Sequence, residues 1–310
     1  MSDSEQEAAW HQVRPFVEIM EANRLARLDT ATALTTQFPS LAGVDVTDLE
    51  LAGPRGPMPA RSYRSSAFPA PTAGFVWVHG GGFVAGDLDM NETHWVALEL
   101  AARGIAVVTL EYVKARPGIH HPALSDDVLA GWLAALSNDL LGVPAADIHL
   151  GGASAGATLS VSVALRLRDG AGVLPASLLL VYPNMHSAAL PHSPAVAAAV
   201  ATLSPEMRFT PDFQAAINLN YVGTADALAD PLAFPASGDV AGLPPTFIVN
   251  AEADDLRSSG EAFAAQLAAA GVAVRVEFEP DTRHGYLDQP GLPGAVATID
   301  KMAAWITGSR

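Results

Sequence analysis

The feature that most constrains the fold of this chain is a series of short apolar runs separated by segments of helical length. The runs are continuous rather than alternating and rich in valine, isoleucine and leucine. Strands of this kind are buried on both faces, as in a parallel sheet with helices on each side. The chain is therefore predicted to be an α/β protein with a mostly parallel central sheet flanked by helices. The predicted strands are Phe75–Val78, Ile105–Leu110, Ile148–Leu150, Ser177–Tyr182, Thr246–Asn250 and Val272–Phe278.

Two regions depart from this alternation. Residues 1–45 carry apolar side chains at helical spacing, and Pro15 is interpreted as a kink or a first turn. Residues 188–233 are divided by prolines into short helical patterns. We expect both regions to form a helical cap over a core made of residues 46–187 and 234–310.

Composition excludes several classes of function. The 310 residues include no cysteine, which rules out a disulfide scaffold, a thiolate zinc site, an iron–sulfur cluster and a cysteine nucleophile. A formal charge of -16 repels nucleic acid and anionic lipid. No apolar run approaches the roughly 20 residues of a membrane span, and the first residues lack the basic and apolar parts of a secretory signal. These features predict a soluble, cytoplasmic protein without nucleic-acid or membrane partners.

The segment Gly152-Ala-Ser-Ala-Gly156 joins a predicted strand to a predicted helix. This is the context of a nucleophile elbow, in which glycines make room for the strand and helix around a strained serine. A bare glycine-rich turn or a dinucleotide loop would use similar residues. A short-chain dehydrogenase is disfavoured because Thr158 replaces the last glycine of its pattern, and no tyrosine is followed four positions later by lysine.

A second motif strengthens the hydrolase interpretation. His79-Gly-Gly-Gly-Phe83 follows the first predicted buried strand, where an α/β-hydrolase places its oxyanion loop. Glycines there allow backbone N–H groups to point into the site. The predicted oxyanion hole consists of the amides of Gly81, Gly82 and Ala155.

An acid and a histidine each follow a late predicted strand. Asp254 comes after Thr246–Asn250, and His284 comes after Val272–Phe278. The order Ser154, Asp254, His284 is that of the α/β-hydrolase triad. In such a triad the histidine takes the serine proton, and the aspartate orients the histidine and stabilises its charged form.

With these motifs in this order, the chain resembles the bacterial hormone-sensitive-lipase-like esterases. Their H-G-G-G-F, G-D-S-A-G-G, D-P-L-R-D-E and H-G-F or H-G-Y motifs align with residues 79–83, 152–157, 254–259 and 284–286. The resemblance implies an α/β-hydrolase fold with a helical cap. It also implies a serine esterase that acts on small to medium acyl esters through an acyl-enzyme, without metal or organic cofactor. Because this family often dimerises, a homodimer is a further expectation.

The chain departs from the family motifs at several positions. Ala153 replaces the carboxylate beside the serine, and Ala157 replaces the second elbow glycine. Asp255 replaces the proline of D-P-L, so two aspartates are adjacent. The segment Tyr112–Pro117 stands where the family has Y-R-L-A-P-E. We expect these changes to affect the bracing of the oxyanion loop and substrate preference more than mechanism.

Substrate contacts are predicted after the glycine loop, after a strand end, within the insertion and after the histidine. For the three aromatic residues of the insertion, packing inside the cap is an equal alternative. The predicted contact residues are Phe83, Asn184, Met185, His186, Phe209, Phe213, Tyr221 and Tyr286.

Other polar residues are given structural interpretations. His79 is expected to hold the glycine loop by local hydrogen bonds. His120 and His121 lack the spacing of a metal site and are assigned to a surface loop. Asp281 and Asp288 are interpreted as a solvated acidic face near His284.

Two alternatives to ester hydrolysis stay open. Lactone or amide hydrolysis would use the same triad. Plant gibberellin receptors share this fold but bind a ligand without turnover after losing the histidine, and the presence of His284 counts against that role here.

Overall fold

The computed structural model describes residues 3–27, 31–137 and 140–308. Within these residues one eight-stranded sheet has the spatial order β1-β2-β4-β3-β5-β6-β7-β8. The pairs β1·β2 and β2·β4 are antiparallel, and every other neighbouring pair is parallel. The prediction of a mostly parallel sheet is confirmed. The strands are β1 (Val44–Gly53), β2 (Gly56–Ser65), β3 (Ala73–Val78), β4 (Ile105–Leu110), β5 (Ile148–Ala153), β6 (Leu178–Val181), β7 (Thr246–Ala253) and β8 (Val274–Arg283).

Helices cover both faces of the sheet. Among the described residues, no helix is both long and apolar enough to cross a membrane. The helices are α1 (Asp3–Arg27), α2 (Ala31–Gln37), α3 (Asn91–Ala102), α4 (Ala123–Ser137), α5 (Ala155–Arg166), α6 (Pro194–Val200), α7 (Pro211–Val222), α8 (Arg257–Ala269) and α9 (Pro293–Ile306).

Strand β3 shows why the apolar runs are continuous. Phe75 and Trp77 pack into a core layer with α3 and α9. Val76 and Val78 pack on the opposite face with α4, α5 and α8. Side chains alternate across a strand, so a strand with two covered faces needs apolar residues at every position.

The hairpin formed by β1 and β2 is longer than the sequence indicated. The proline-, arginine- and serine-rich composition of residues 51–72 predicts loops and edge strands. In the structure, strand structure begins at Val44 and turns at Gly53–Gly56. Its polar side chains face solvent along β1, which lies at the sheet edge. An edge strand does not need the apolar run by which the buried strands were recognised.

The two regions predicted to form a cap contain helices, as expected, with one correction. Pro15 lies in the middle of α1 because the helix begins at Asp3, so the first-turn interpretation is wrong. Helix α1 packs against α7 of the insertion, and Phe16 meets Phe213 edge to face at 5.7 Å between ring centroids. The two regions, which we call the cap regions after their predicted role, therefore touch each other.

Candidate active site

Ser154 occupies the sharp turn between β5 and α5. Its backbone has φ +52° and ψ -117°, a strained conformation for a residue with a side chain. A Cβ atom at Gly156 would lie 2.1 Å from the Val78 oxygen, and one at Gly152 would lie 2.5 Å from the same oxygen. Both elbow glycines are therefore required for the close approach of strand β3 to this turn.

Three side chains from different strand ends form one hydrogen-bonded chain. Ser154 Oγ lies 2.9 Å from His284 Nε2, and His284 Nδ1 lies 2.7 Å from Asp254 Oδ2. Ser154 follows β5, Asp254 follows β7, and His284 follows β8. Because β5 to β8 are parallel neighbours, their carboxyl ends meet at one edge of the sheet. The fold thus brings the three predicted triad residues together.

The electrostatic setting of His284 favours proton acceptance. Burial lowers the pKa of His284, but the charge of Asp254 and its hydrogen bond outweigh burial and raise the pKa above the ordinary value. Asp254 is itself buried, and its other oxygen accepts a 2.9 Å hydrogen bond from the Leu256 amide. The carboxylate is therefore held in place to orient the imidazole.

The glycine loop lies beside Ser154. Gly81 and Gly82 have φ values of +103° and +59°, and a Cβ atom at Gly81 would lie 2.2 Å from the Ala85 oxygen. Among the described residues, no acceptor bonds the amides of these two glycines. Ala155 begins α5, where an amide has no acceptor within the helix. All three predicted oxyanion-hole amides are thus near the nucleophile and without backbone partners.

A cavity of about 300 Å³ opens above Ser154. Gly81, Gly82 and His284 form its floor together with the serine. Its roof comes from the cap, with Phe16 and Met20 of α1 beside aromatic side chains of the insertion. The cavity therefore lies between the core and both cap regions.

Two of the predicted substrate contacts line this cavity. They are Phe209 and Phe213, whose rings lie 5.7 Å apart. The Phe209 ring also lies 4.5 Å from His284. Residues of the insertion therefore reach the site itself as well as packing within the cap.

The other three predicted aromatic contacts do not line the cavity. Phe83 and Tyr221 are buried and stacked on each other at 3.8 Å, which joins the glycine loop to α7. Tyr286 is buried behind His284 and bonds Thr298 Oγ1 at 2.6 Å. The hydrophobic surfaces of these rings are already covered by other residues. We therefore interpret them as supports of the site rather than as substrate contacts.

The three predicted contacts after β6 also lie outside the cavity lining. Asn184 donates to Asn218 Oδ1 at 2.9 Å. The Met185 amide and the His186 ring both bond Ser259 Oγ, at 2.9 and 2.8 Å. Their hydrogen bonds hold these residues against α7 and α8.

Sequence analysis missed a buried carboxylate beside the nucleophile. Glu92, in the first turn of α3, accepts hydrogen bonds from the Gly80 amide at 2.7 Å and from Tyr182 Oη at 2.5 Å. It lines the cavity, and its charge contributes to raising the pKa of His284. Glu92 thus braces the loop although Ala153 carries no carboxylate. The available signal was an acidic residue opening a helix that is otherwise largely buried.

The two aspartates near His284 have different surroundings. Asp281 is exposed, as expected for a solvated acidic face. Asp288 is half-buried, lines the cavity and accepts a 3.2 Å hydrogen bond from the Glu92 amide. The solvated interpretation is therefore wrong for Asp288, because the turn after His284 folds back against the start of α3.

His79 holds the glycine loop from behind. Its Nδ1 bonds the Gly80 oxygen at 2.7 Å, and its Nε2 lies 3.1 Å from Lys114 Nζ. Lys114 belongs to the segment that departs from the family pattern, and it also pairs with Glu111. Burial lowers the pKa of Lys114, and the carboxylate of Glu111 offsets that effect only in part. Through its contact with His79, the lysine helps to hold the glycine loop in place.

The histidine pair before α4 connects the core to the insertion. His120 Nδ1 bonds the Asn220 oxygen at 2.8 Å, and His121 Nε2 lies 3.0 Å from Asp230 Oδ2. Both residues are half-buried rather than part of an open surface loop. Their polar atoms bond cap residues, which gives them a structural role.

Comparison with protein families decides the relationship. Residues 75–288 match the family described as having the alpha/beta hydrolase fold. The chain belongs to this family. The matched range includes the glycine loop, the elbow, the late acid and the histidine.

Two curated relatives come from Mycobacterium tuberculosis. The carboxylic ester hydrolase LipN is 34% identical over 264 residues, which cover 82% of this chain and 67% of the relative. The esterase LipI is 34% identical over 265 residues, covering 83% and 79%. The resemblance to hormone-sensitive-lipase-like esterases is confirmed by these relatives, as is the prediction of a carboxylesterase-type hydrolase.

Solved structures agree with this placement. A hyperthermophilic esterase from the archaeon Pyrobaculum calidifontis superposes with a TM-score of 0.80 at 27% identity, covering 100% of this chain and 98% of that one. Esterase LipW from Mycobacterium marinum gives 0.78 at 29% identity, covering 95% and 90%. The α/β-hydrolase fold is confirmed.

Proposed function

We propose that the chain is a serine carboxylic-ester hydrolase in which Ser154, His284 and Asp254 are the catalytic residues. The observation that carries the proposal is the hydrogen-bonded chain from serine to histidine to buried aspartate, on the floor of a cavity. This arrangement couples a nucleophile to a base and the base to an orienting acid.

The reaction proceeds in two halves. Ser154 Oγ attacks the ester carbonyl carbon while His284 Nε2 takes its proton, and the carbonyl oxygen becomes an oxyanion. Amides of Gly81, Gly82 and Ala155 donate hydrogen bonds to that oxygen. The tetrahedral intermediate then expels the alcohol, which receives the proton from His284, and leaves an acyl-serine.

Water completes the cycle by the same route. His284 takes a proton from water, and the resulting hydroxide attacks the acyl carbonyl. The second tetrahedral intermediate then collapses: the bond to Ser154 Oγ breaks, His284 returns its proton to that oxygen, and the carboxylic acid is released. The ester, Ser154, His284 and water account for every bond made and broken, while Asp254 orients the histidine.

The cavity favours small to medium acyl esters. Its volume of about 300 Å³ is at the low end of ligand sites. Phenylalanine and methionine side chains form much of its roof, so they suit an apolar acyl or alcohol group. Lactones and amides of similar size would meet the same groups and are tested as alternative substrates.

The proposal is tested with p-nitrophenyl esters of two to twelve acyl carbons. We expect hydrolysis of the short esters, and a loss of kcat of about 10⁴-fold or more in Ser154→Ala and His284→Ala. Circular dichroism establishes that each variant is folded. A phosphonate ester that reacts with activated serines is expected to label the unsubstituted protein and not Ser154→Ala.

Ser162→Ala serves as the matched control. Ser162 is a buried residue of α5, the helix that begins directly after Ser154. Within the part of the chain that the structure describes, its hydroxyl has no hydrogen-bond partner. Its removal is expected to leave hydrolysis unchanged. Full activity in Ser154→Ala, or neither turnover nor labelling of the folded unsubstituted protein, contradicts the proposal.

A further inference from the structure

The aspartate that follows the triad acid has a network of its own. Asp254 faces His284, whereas both oxygens of Asp255 are bonded by residues of the cap insertion. Arg208 donates Nε to Oδ2 at 2.8 Å and Nη2 to Oδ1 at 2.7 Å. The Phe209 amide donates to Oδ2 at 2.9 Å, and His192 Nε2 lies 3.2 Å from Oδ1. Asp255 thus connects the core loop after β7 to two separate parts of the insertion.

The ion pair between Asp255 and Arg208 is well suited to hold the Arg208 side chain in one position. A guanidinium that bonds both oxygens of one carboxylate is held in direction as well as distance. Only 5% of the Asp255 side chain is exposed, so water competes little for its oxygens. Burial raises the pKa of Asp255, but hydrogen bonds from Arg208 and His192 outweigh it and hold the pKa below the ordinary value. The carboxylate is therefore charged at neutral pH.

The segment held in this way carries a wall of the active-site cavity. Phe209 gives its amide to Asp255 and turns its ring toward His284, 4.5 Å away. The same ring meets Phe213, which in turn meets Phe16 of α1. The place of Phe209 thus decides how much room remains above the serine for a bound ester.

Resting on the proposed esterase function, we propose that Asp255 is a positioning residue that latches Arg208 and Phe209 over the active site, so that Phe209 limits the length of the ester chain. Proline, which the related family motif has at this position, offers no side-chain acceptor. A chain with that proline at position 255 therefore could not form this latch.

The test compares chain-length selectivity, given as the ratio of kcat/KM for p-nitrophenyl octanoate to that for the acetate. We expect this ratio to rise about fivefold or more in Asp255→Asn. The amide is neutral and has only one oxygen, so it cannot accept hydrogen bonds from both guanidinium nitrogens through two charged oxygens. Phe209→Ala is expected to raise it by a similar factor. In the double variant the two effects do not multiply, because both substitutions remove the same wall.

Two further variants serve as a substitute for Asp255→Asn and as a control for it. Arg208→Gln breaks the same pair from its more exposed side and replaces Asp255→Asn if that protein does not fold. Asp169→Asn removes a carboxylate that pairs with Arg168 on the surface, and it is expected to leave the ratio unchanged. A ratio that stays within twofold in folded Asp255→Asn and Arg208→Gln, while Phe209→Ala changes it, overturns the proposal.

A second measurement does not depend on turnover. Amide hydrogen exchange of residues 205–213 is expected to become about tenfold faster in Asp255→Asn and to stay unchanged in Asp169→Asn. Unchanged exchange in Asp255→Asn also overturns the latch. Absence of turnover and of phosphonate labelling in the unsubstituted protein defeats the esterase function instead, so the two failures are separate.

Discussion

The floor and the roof of the active-site cavity are built in different ways. The floor depends on backbone geometry, with Ser154, Gly81 and Gly82 all at positive φ and packed against neighbouring backbone or side chains. The roof is made of side chains from two distant parts of the sequence, such as Phe16 and Phe209. Backbone geometry at a reaction centre demands particular residues, whereas a hydrophobic wall demands only size and apolarity. The floor therefore has a sequence motif, and the roof has none.

The largest effect is expected from disturbing the floor. In Gly81→Ala, the new methyl group would meet the Ala85 oxygen, and the residue would have to keep a φ of +103°. The loop must move, and the amides that face the oxyanion move with it. We expect kcat to fall by about 10²- to 10³-fold, the cost of losing an oxyanion donor, measured with p-nitrophenyl acetate.

Gly118→Ala separates the clash from the backbone strain. Gly118 has φ +84°, and a Cβ atom there would meet nothing within 4 Å. This variant is expected to lose roughly 1–2 kcal/mol of unfolding free energy for its left-handed backbone and to keep its activity. Equal activity losses in Gly81→Ala and Gly118→Ala would show that the close packing of the glycine loop does not account for the lower kcat.

A smaller effect is expected at Glu92, which braces the floor. Because His284 must be neutral to act as a base, activity falls as pH drops through its pKa, which lies above the ordinary value. Glu92 contributes to that elevation by its negative charge, behind burial and the larger influence of Asp254. Glu92→Gln is therefore expected to move the acidic limb of kcat/KM to lower pH. Its kcat at pH 8 is expected to fall by about tenfold or less, since no oxyanion donor is removed.

Glu99→Gln is the matched control for this pH profile. Glu99 also lies on α3, but it pairs with Arg103 and bonds the Trp95 indole, away from the cavity. Its pH profile is expected to coincide with that of the unsubstituted protein. An acidic limb that moves to higher pH in Glu92→Gln would contradict the electrostatic role.

The smallest effect is expected in the roof. Phe16→Ala shortens a wall of the cavity without touching the reacting groups. We expect kcat/KM for the acetate to change by less than about threefold. For longer esters we expect kcat/KM to rise because the smaller side chain leaves room for the chain, and the change is bounded by the roughly 1–3 kcal/mol of one hydrophobic contact. Ile19→Ala, on the exposed side of the same helix, is expected to change neither value. A loss with acetate as large as that of Gly81→Ala would erase the distinction between floor and roof.

Prediction from sequence succeeded where local chemistry restricts the residues. The apolar runs marked the buried strands because both faces of each strand are covered, as at Phe75 to Val78. Strand β1 was largely missed since its edge position allows polar side chains. The elbow and the glycine loop were recognisable because Gly156 and Gly81 tolerate no Cβ atom.

Prediction was weakest where contacts join distant segments. Six of the eight predicted substrate contacts do not line the cavity, and Phe83 with Tyr221 shows the reason. An aromatic side chain near the motif serves equally as a wall or as a support, and only its partner in space decides which. Glu92 was missed for the same reason, because its partners Gly80 and Tyr182 lie 12 and 90 positions away.

The sequence by itself determined the fold class, the order of the three triad candidates and the strained turns that hold the serine and the oxyanion loop. Each of these depends on side-chain periodicity or on steric limits within a few residues. The motif spacing had already selected Asp254 as the partner of His284, whereas tertiary structure alone showed that Asp255 faces Arg208. Both aspartates follow the same strand, and their roles differ only because the histidine and the cap approach that loop from opposite sides.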